Sequence, residues 1–148
     1  MGRFMAKADL IPGIEPGDSL LARDHLSTRE QFQDSHDVAI DFDGVIHSAA
    51  SAWTHHSEVN DAPTGGAFES VQSYIKAGLR VILYSCRAKS PEGAQAIKAW
   101  LEKYEFPKLE VTSEKPHARI YIDDKGYHFS GDNWPSVEFI RRFRPWNR

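Results

Sequence analysis

Hydrophobic residues form two continuous runs, DVAIDF at residues 37–42 and LRVILYS at residues 79–85. Runs of this length without polar alternation predict strands that are buried on both faces. Two shorter runs, KLEVTS at 108–113 and ARIYID at 118–123, predict two further strands. The chain therefore carries four candidate strands from residue 37 onward.

Helical spacing of apolar residues separates the strands. TGGAFESVQSYIKAG (residues 64–78) has apolar positions three and four apart, and Gly78 is a suitable stop. SPEGAQAIKAWLEKY (residues 90–104) has the same spacing, with Ser90 as its cap and Pro91 at its first position. Both segments are predicted to be helices.

A last helix is predicted near the C-terminus. Asp132 or Asn133 is the expected cap, with Pro135 near the start and Phe139 and Phe143 on one side.

Residues 1–36 show no clean period, and IPGIEPGD within them is typical of a loop. A short helix over residues 27–32 is possible there, with Ser27 as cap and Glu30 at the third position. We interpret residues 1–36 as an N-terminal arm and residues 37–148 as a single domain.

Strands that alternate with helices and are themselves uniformly apolar predict an α/β fold. The expected architecture is Rossmann-like, a parallel sheet with helices on both faces. In such sheets the ligand site lies beyond the carboxyl ends of the strands.

Polar side chains stand where those strand ends are expected. Lys115 precedes the fourth strand, and the other residues of the set lie at the end of a strand or directly after it: Asp41, Asp43, Ser85, Asp123 and Asp124. Two carboxylates two residues apart on a strand face the same way and disfavour each other's ionisation. The sequence therefore predicts a cation or a reaction at this edge.

The residue types suit phosphoryl chemistry with Mg²⁺, which prefers a few carboxylates, waters and a substrate phosphate. An aspartate can form a covalent phosphoryl intermediate, and a second carboxylate can protonate the leaving oxygen and then activate water. Lys115 and Ser85 can hold the oxygens on which charge develops.

The ordered motifs DFDGV, LYS before Cys86, Lys115 and YIDD resemble the haloacid dehalogenase superfamily of phosphatases. The resemblance covers about residues 37–143. It implies that Asp41 is the nucleophile and Asp43 the general acid/base. It also implies that Ser85 binds the phosphoryl group and that Lys115 stabilises it.

For the metal, the resemblance implies that Asp123 completes a Mg²⁺ site with Asp41 and the backbone carbonyl of Asp43. Asp124 is left open between a metal role and loop or helix capping. Gly44 and Arg87 are candidate substrate contacts, and for Arg87 a structural role is equally favoured.

The second aspartate narrows the chemistry, because dehalogenases of this superfamily lack it. Asp43 therefore points to phosphate-ester hydrolysis or phosphotransfer. Residues 45–63 are too few for a cap domain with its own core, so we expect a small capless protein with an open site.

The roles of several residues in the first connection (residues 45–63) and in the C-terminal tail (residues 139–148) stay open. His47, His55 and His56 fit no zinc pattern, and we interpret them as chance histidines in a flexible flap. Trp53 could stack on a base or sugar or anchor the loop. The tail arginines could follow a nucleic-acid backbone, although a solvated helix end is favoured: Arg141, Arg142, Arg144 and Arg148.

Composition and charge restrict the classes of partner and compartment but do not indicate a function. The net charge of -3 over 148 residues neither demands nor excludes nucleic acid. The single Cys86 favours a reducing cytoplasm, and no apolar run reaches the ~20 residues of a membrane span. We expect a phosphorylated small molecule or nucleotide as substrate and no membrane partner. The oligomeric state is not indicated.

The sequence thus predicts a magnesium-dependent phosphohydrolase that acts through an aspartyl-phosphate. A phosphatase of nucleotides or nucleic-acid ends is one alternative. A non-catalytic module of the same fold that merely holds a cation is the other.

Overall fold

The computed structural model describes residues 36–147 and shows an α/β fold around a four-stranded, all-parallel sheet. The strands are β1 (Asp37–Asp41), β2 (Arg80–Tyr84), β3 (Glu110–Thr112) and β4 (Ile120–Ile122), in the order β3-β2-β1-β4. The four strands predicted from the apolar runs are confirmed, each one to three residues shorter at its ends. The predicted arm, its short helix over residues 27–32 and Arg148 lie outside the described residues, apart from His36.

Within residues 36–147, three α-helices accompany the sheet: α1 (Ala67–Lys76), α2 (Pro91–Lys103) and α3 (Val137–Arg142). A short 3₁₀ helix, Cys86–Lys89, follows β2. The cap predicted for α2 is confirmed, because the Ser90 hydroxyl accepts a hydrogen bond from the Gly93 N–H at 3.0 Å. In the described part of the chain, no helix has the length and apolar character needed to cross a membrane.

The cap predicted for the last helix is wrong. α3 begins after Ser136, whose hydroxyl accepts from the Phe139 N–H at 3.0 Å. Pro135 directly precedes this cap and so lies near the start of the helix, as expected. Asn133 cannot serve the helix because its side chain makes hydrogen bonds within the preceding turn. Asp132 lies further from the start of α3 still.

The core joins α1 and α2 to one face of the sheet. Alternate residues of β1 and β2 on this face pack with both helices in one buried cluster, which includes Val38, Ile40, Val81, Leu83, Val71, Ile97 and Trp100. Placement of both helices on one side follows from two right-handed crossovers in the same direction, β1 to β2 and β2 to β3. Ala39 and Ile82 point to the other face and are also buried. Helices over that second face remain a prediction.

The sheet order determines which chain segments meet at the carboxyl edge. β1 is central, with β2 on one side and β4 on the other. Asp41 pairs with Tyr84 in the register, and the residues after β4 emerge beside the end of β1. At the carboxyl edge of the sheet, where a ligand site is expected, the DFD sequence at residues 41–43 therefore lies between the ends of β2 and β4.

Candidate metal and phosphoryl site

Three carboxylates converge at the carboxyl edge of the sheet. Asp41 ends β1, and Asp123 and Asp124 follow β4; one oxygen of each lies within 4.8 Å of the others. Asp124 Oδ1 is buried, and no hydrogen bond reaches it from the described residues. A buried acceptor without a partner is costly, and a cation bound to this oxygen would remove that cost. The donor set and this orphaned oxygen fit Mg²⁺, a hard cation that takes oxygen ligands.

The pKa of Asp41 reflects its burial and the closeness of the other carboxylates. Burial, and then the nearby carboxylate of Asp123, raise the pKa of Asp41 from 3.8 to about 7. A hydrogen bond from the Phe42 N–H to Asp41 Oδ1, 2.8 Å long, opposes the rise without cancelling it. In the metal-free protein Asp41 therefore exchanges its proton near neutral pH.

Tyr84 belongs to the same group, although the sequence argument did not select it. Its hydroxyl donates a hydrogen bond of 2.7 Å to Asp123 Oδ2. Burial, with this hydrogen bond next, raises the pKa of Tyr84. The signal was present in the sequence, because Tyr84 ends β2 as Asp41 ends β1. Tyr84 therefore orients the carboxylate of Asp123 from the neighbouring strand.

Asp43 lies outside the three-carboxylate group and has cationic or polar partners instead. His47 Nδ1 is 2.9 Å from its Oδ1, and Arg87 Nε donates to its Oδ2 at 2.7 Å. Burial alone would raise the pKa of Asp43, but the hydrogen bonds from His47 and Arg87 outweigh it and lower that pKa. Asp43 is thus held as a carboxylate in the free protein.

His47 is not a chance histidine in a flexible flap, and that interpretation is wrong for this residue. Only 2 % of its surface is exposed, and its ring stacks on Phe42 with centroids 5.3 Å apart. The turn after Phe42 brings it back to the strand end, since the Phe42 carbonyl accepts from the His47 N–H at 2.9 Å. The spacing of four residues from Asp43 was the signal available in the sequence.

Arg87 fastens the first connection over the site. Its Nη1 donates to the carbonyls of His55, His56 and Glu58 at 3.1, 3.1 and 2.9 Å. Its guanidinium also lies 4.0 Å from the centre of the Trp53 ring. Trp53 therefore anchors the loop on one face, and half of its surface stays exposed. A substrate contact by Arg87 remains a prediction, but Arg87 is buried and its described contacts are structural.

A cavity of about 210 Å³ lies between this loop and the strand ends. Asp41, Asp43, Ser85 and Lys125 are among the residues that line it, with Trp53 on the loop side. Ser85 is buried, and its hydroxyl accepts from the Arg87 N–H at 3.2 Å, which caps the 3₁₀ helix. Ser85 and the two aspartates of the DFD sequence are thus brought to one cavity, as the sequence predicts.

Gly44 meets two structural demands. Its φ of +87° is a left-handed conformation that favours glycine, and a Cβ there would overlap the carboxylate of Asp124. Its carbonyl accepts from Trp146 Nε1 at 2.7 Å, and its N–H donates to the His47 carbonyl at 2.8 Å. A substrate contact by Gly44 remains a prediction.

Lys115 lies elsewhere. Its Nζ is 4.2 Å from the centre of the Tyr121 ring, and it lines a second cavity of about 560 Å³ that also includes Asp123. It is not among the residues that line the cavity of Asp41 and Asp43, where Lys125 supplies a cation instead. Stabilisation of a phosphoryl group by Lys115 remains a prediction.

No family model matches the chain, and no curated protein or solved structure matches it significantly.

Proposed function

We propose that this protein is a Mg²⁺-dependent phosphohydrolase with a haloacid-dehalogenase-type Rossmann-like fold and an aspartyl-phosphate intermediate. The observation that carries the proposal is the convergence of the carboxylates of Asp41, Asp123 and Asp124, together with a buried oxygen of Asp124 that has no hydrogen-bond partner among the described residues. Beside it lies a cavity that also contains Asp43 and Ser85. Bound Mg²⁺ would supply positive charge that offsets the repulsion among the carboxylates and neutralises the phosphoryl oxygens.

Two half-reactions follow from the assigned residues. An oxygen of Asp41 attacks phosphorus, the bond from phosphorus to the leaving oxygen breaks, and protonated Asp43 gives its proton to that oxygen. Water then attacks the phosphorus of the aspartyl-phosphate while the carboxylate of Asp43 takes the water proton. Inorganic phosphate leaves and Asp41 is regenerated.

The environment of Asp43 favours the second half-reaction. Its lowered pKa keeps it as the carboxylate that activates water. Leaving groups that depart without a proton are therefore expected to react most readily in the first half-reaction. Ser85 lines the cavity, and its hydroxyl would bind a phosphoryl oxygen.

The test is hydrolysis of an aryl phosphate by the full chain with Mg²⁺ and with a chelator. We expect turnover only with Mg²⁺, and essentially none in Asp41→Asn. Magnesium binding without turnover of any phosphate ester would favour the alternative, a cation-holding module without catalysis. Equal turnover by the wild type and Asp41→Asn would contradict the proposed nucleophile.

A phosphatase of nucleotides or nucleic-acid ends is a second candidate, favoured by the cavity that contains Lys115. Tyrosines and basic side chains line it: Tyr84, Tyr121, Tyr127, Lys115, Arg119 and His128. Aromatic rings beside cations suit a stacked base with a phosphate, and Asp123 belongs both to this cavity and to the carboxylate group.

The tail gives this candidate less support. Arg141 and Arg142 lie exposed in the last turn of α3, and Arg142 pairs with Glu138 at 2.6 Å. Arg144 donates to the carbonyl of Phe143 at 2.8 Å. These local contacts fit the solvated helix end favoured from the sequence. A cytoplasmic location is also part of the proposal, since Cys86 is a free, exposed thiol.

A further inference from the structure

We propose that His47 is a positioning residue that holds the carboxylate of Asp43 in the orientation needed for proton transfer. The inference rests on the proposed function for its kinetic consequences, whereas its structural content can be tested without any activity. Among the described residues, His47 is hydrogen-bonded to one carboxylate oxygen of Asp43 and Arg87 to the other.

The hydrogen bonds define the tautomer of His47. The backbone N–H of Asp61 donates to His47 Nε2 at 3.1 Å, so Nε2 carries no proton. The carboxylate of Asp61 is 3.9 Å from Nε2, too far to accept a hydrogen bond from it. The ring proton therefore resides on Nδ1, which donates to Asp43 Oδ1.

The ring has little freedom to turn. It is stacked on Phe42, with an interplanar angle of 5°, and it meets the edge of Trp100 with centroids 5.6 Å apart. Trp100 Nε1 donates to the carbonyl of Asp61 at 2.8 Å. The backbone of Asp61 is thus held at its N–H by His47 and at its carbonyl by Trp100.

The consequence is a fixed plane for the Asp43 carboxylate. Each carboxylate oxygen has two acceptor sites, so one hydrogen bond from His47 and one from Arg87 leave capacity for a reacting proton. Asp43 still exposes 21 % of its side chain and lines the cavity. Proton transfer needs heavy atoms within about 2.6–3.2 Å, so a carboxylate free to rotate would be a poorer acid and base.

Two substitutions separate the donor from the acceptor of the ring. Asn at position 47 can place an N–H near the position of Nδ1, whereas Gln can place an acceptor near Nε2 without that donor. We expect His47→Gln to lower alkyl phosphate hydrolysis about tenfold or more, the scale seen when partners that orient site residues are removed. His47→Asn should retain most of the activity. His55→Gln is the control: this histidine lies in the same loop, its ring is hydrogen-bonded to Ser57 Oγ at 2.7 Å, and the variant should match the wild type.

A double-mutant cycle with Asp43→Asn distinguishes positioning from general damage. If His47 acts through Asp43, His47→Gln should cost little more once Asp43 is replaced, and its loss should be larger on alkyl than on aryl esters. Multiplied losses, or equal losses on both esters with unchanged thermal stability, would overturn the proposal.

Nitrogen NMR of the ¹⁵N-histidine-labelled wild type tests the structural content directly. We expect His47 to be protonated at Nδ1 and unprotonated at Nε2, with the Nδ1 proton resonance displaced in Asp43→Asn. The opposite tautomer, or a resonance insensitive to Asp43→Asn, would refute the proposal even if no phosphate ester were hydrolysed. Absence of turnover with the expected tautomer would refute the proposed function alone.

Discussion

Asp41 and Asp43 are two residues apart and have opposite surroundings. Burial, and then the carboxylates that Asp41 faces, raise its pKa to about 7. Asp43 faces His47 and Arg87, which lower its pKa. The DFD pattern predicted both positions, but it could not predict this division, because the partners come from the loop after β1 and from the segment after β2. Opposite environments for paired carboxylates are what separate roles require.

Replacement of Asp43 should have an effect that depends on the leaving group. Asp43→Asn removes the proton donor, so we expect losses of about 10²–10⁴-fold on alkyl phosphates. An acidic phenol needs no proton to leave, so phosphorylation by an aryl phosphate should suffer least. Single-turnover rates with both ester types make the comparison. Equal losses on both would indicate a structural role for Asp43.

The stability of the metal-free protein should fall with pH because of Asp41. Its pKa is about 7 in the folded state against 3.8 as the ordinary value, so the folded state holds the proton more tightly. The stabilisation is complete below about pH 4 and is lost as pH rises through 7. Urea unfolding in a chelator between pH 4 and 8 should therefore show a decline that Asp41→Asn lacks. Parallel curves for the two proteins would contradict the assigned environment.

The connection between β1 and α1 departs most from its prediction. The absence of a zinc pattern among its histidines favoured a flexible flap, yet Arg87 holds three of its carbonyls and its own residue His47 is buried. The fixing residues are remote in sequence, so no local pattern could reveal them. The helix caps were predicted in part. Ser90 was evident from the sequence, whereas Ser136 was missed because Asp132 and Asn133 are also good cap residues.

Arg87→Lys should release this loop. Lysine keeps the charge but cannot reach Asp43 and three carbonyls together or stack flat on Trp53. We expect the free energy of unfolding to fall by roughly 2–3 kcal/mol, because lysine loses two or three of the hydrogen bonds that Arg87 makes, each worth about 1 kcal/mol. Limited proteolysis within residues 50–60 should become faster. The matched control is Arg80→Lys, at an exposed arginine that pairs with Asp37; it should change neither the free energy of unfolding nor the rate of proteolysis noticeably. Unchanged proteolysis of the loop in Arg87→Lys would show that Arg87 does not hold it.

The sheet as a whole was predictable because uniformly apolar strands that alternate with helices leave few topologies. Strand order then places the ends of β1, β2 and β4 together, and the acidic residues follow from that. The positions of side chains on irregular segments could not be predicted from the strand order. Lys115 stands outside any strand and was assigned by motif order, whereas the structure places it over Tyr121 and brings Lys125 to the cavity of Asp41.

Asp41 lines one cavity and Asp123 lines the other, and this arrangement predicts a preference among substrates. We expect modest turnover of small phosphate esters and better turnover of at least one larger substrate that reaches the cavity of Tyr121. Tyr121→Leu should then lower kcat/KM for a nucleotide and leave that for a small sugar phosphate unchanged. A small metabolite hydrolysed far better than every larger ester would contradict the preference.

The aspartyl-phosphate is the central claim, and its capture on Asp41 tests it most directly. Asp43→Asn lacks the base for the second half-reaction, so an aryl phosphate with Mg²⁺ should leave phosphorylated protein in this variant. Intact-mass measurement followed by peptide mapping should show one added phosphoryl group on Asp41, and none in the Asp41→Asn, Asp43→Asn double variant. A phosphoryl group on another residue, or turnover by the wild type with no trapped phosphoprotein in Asp43→Asn, would contradict the account.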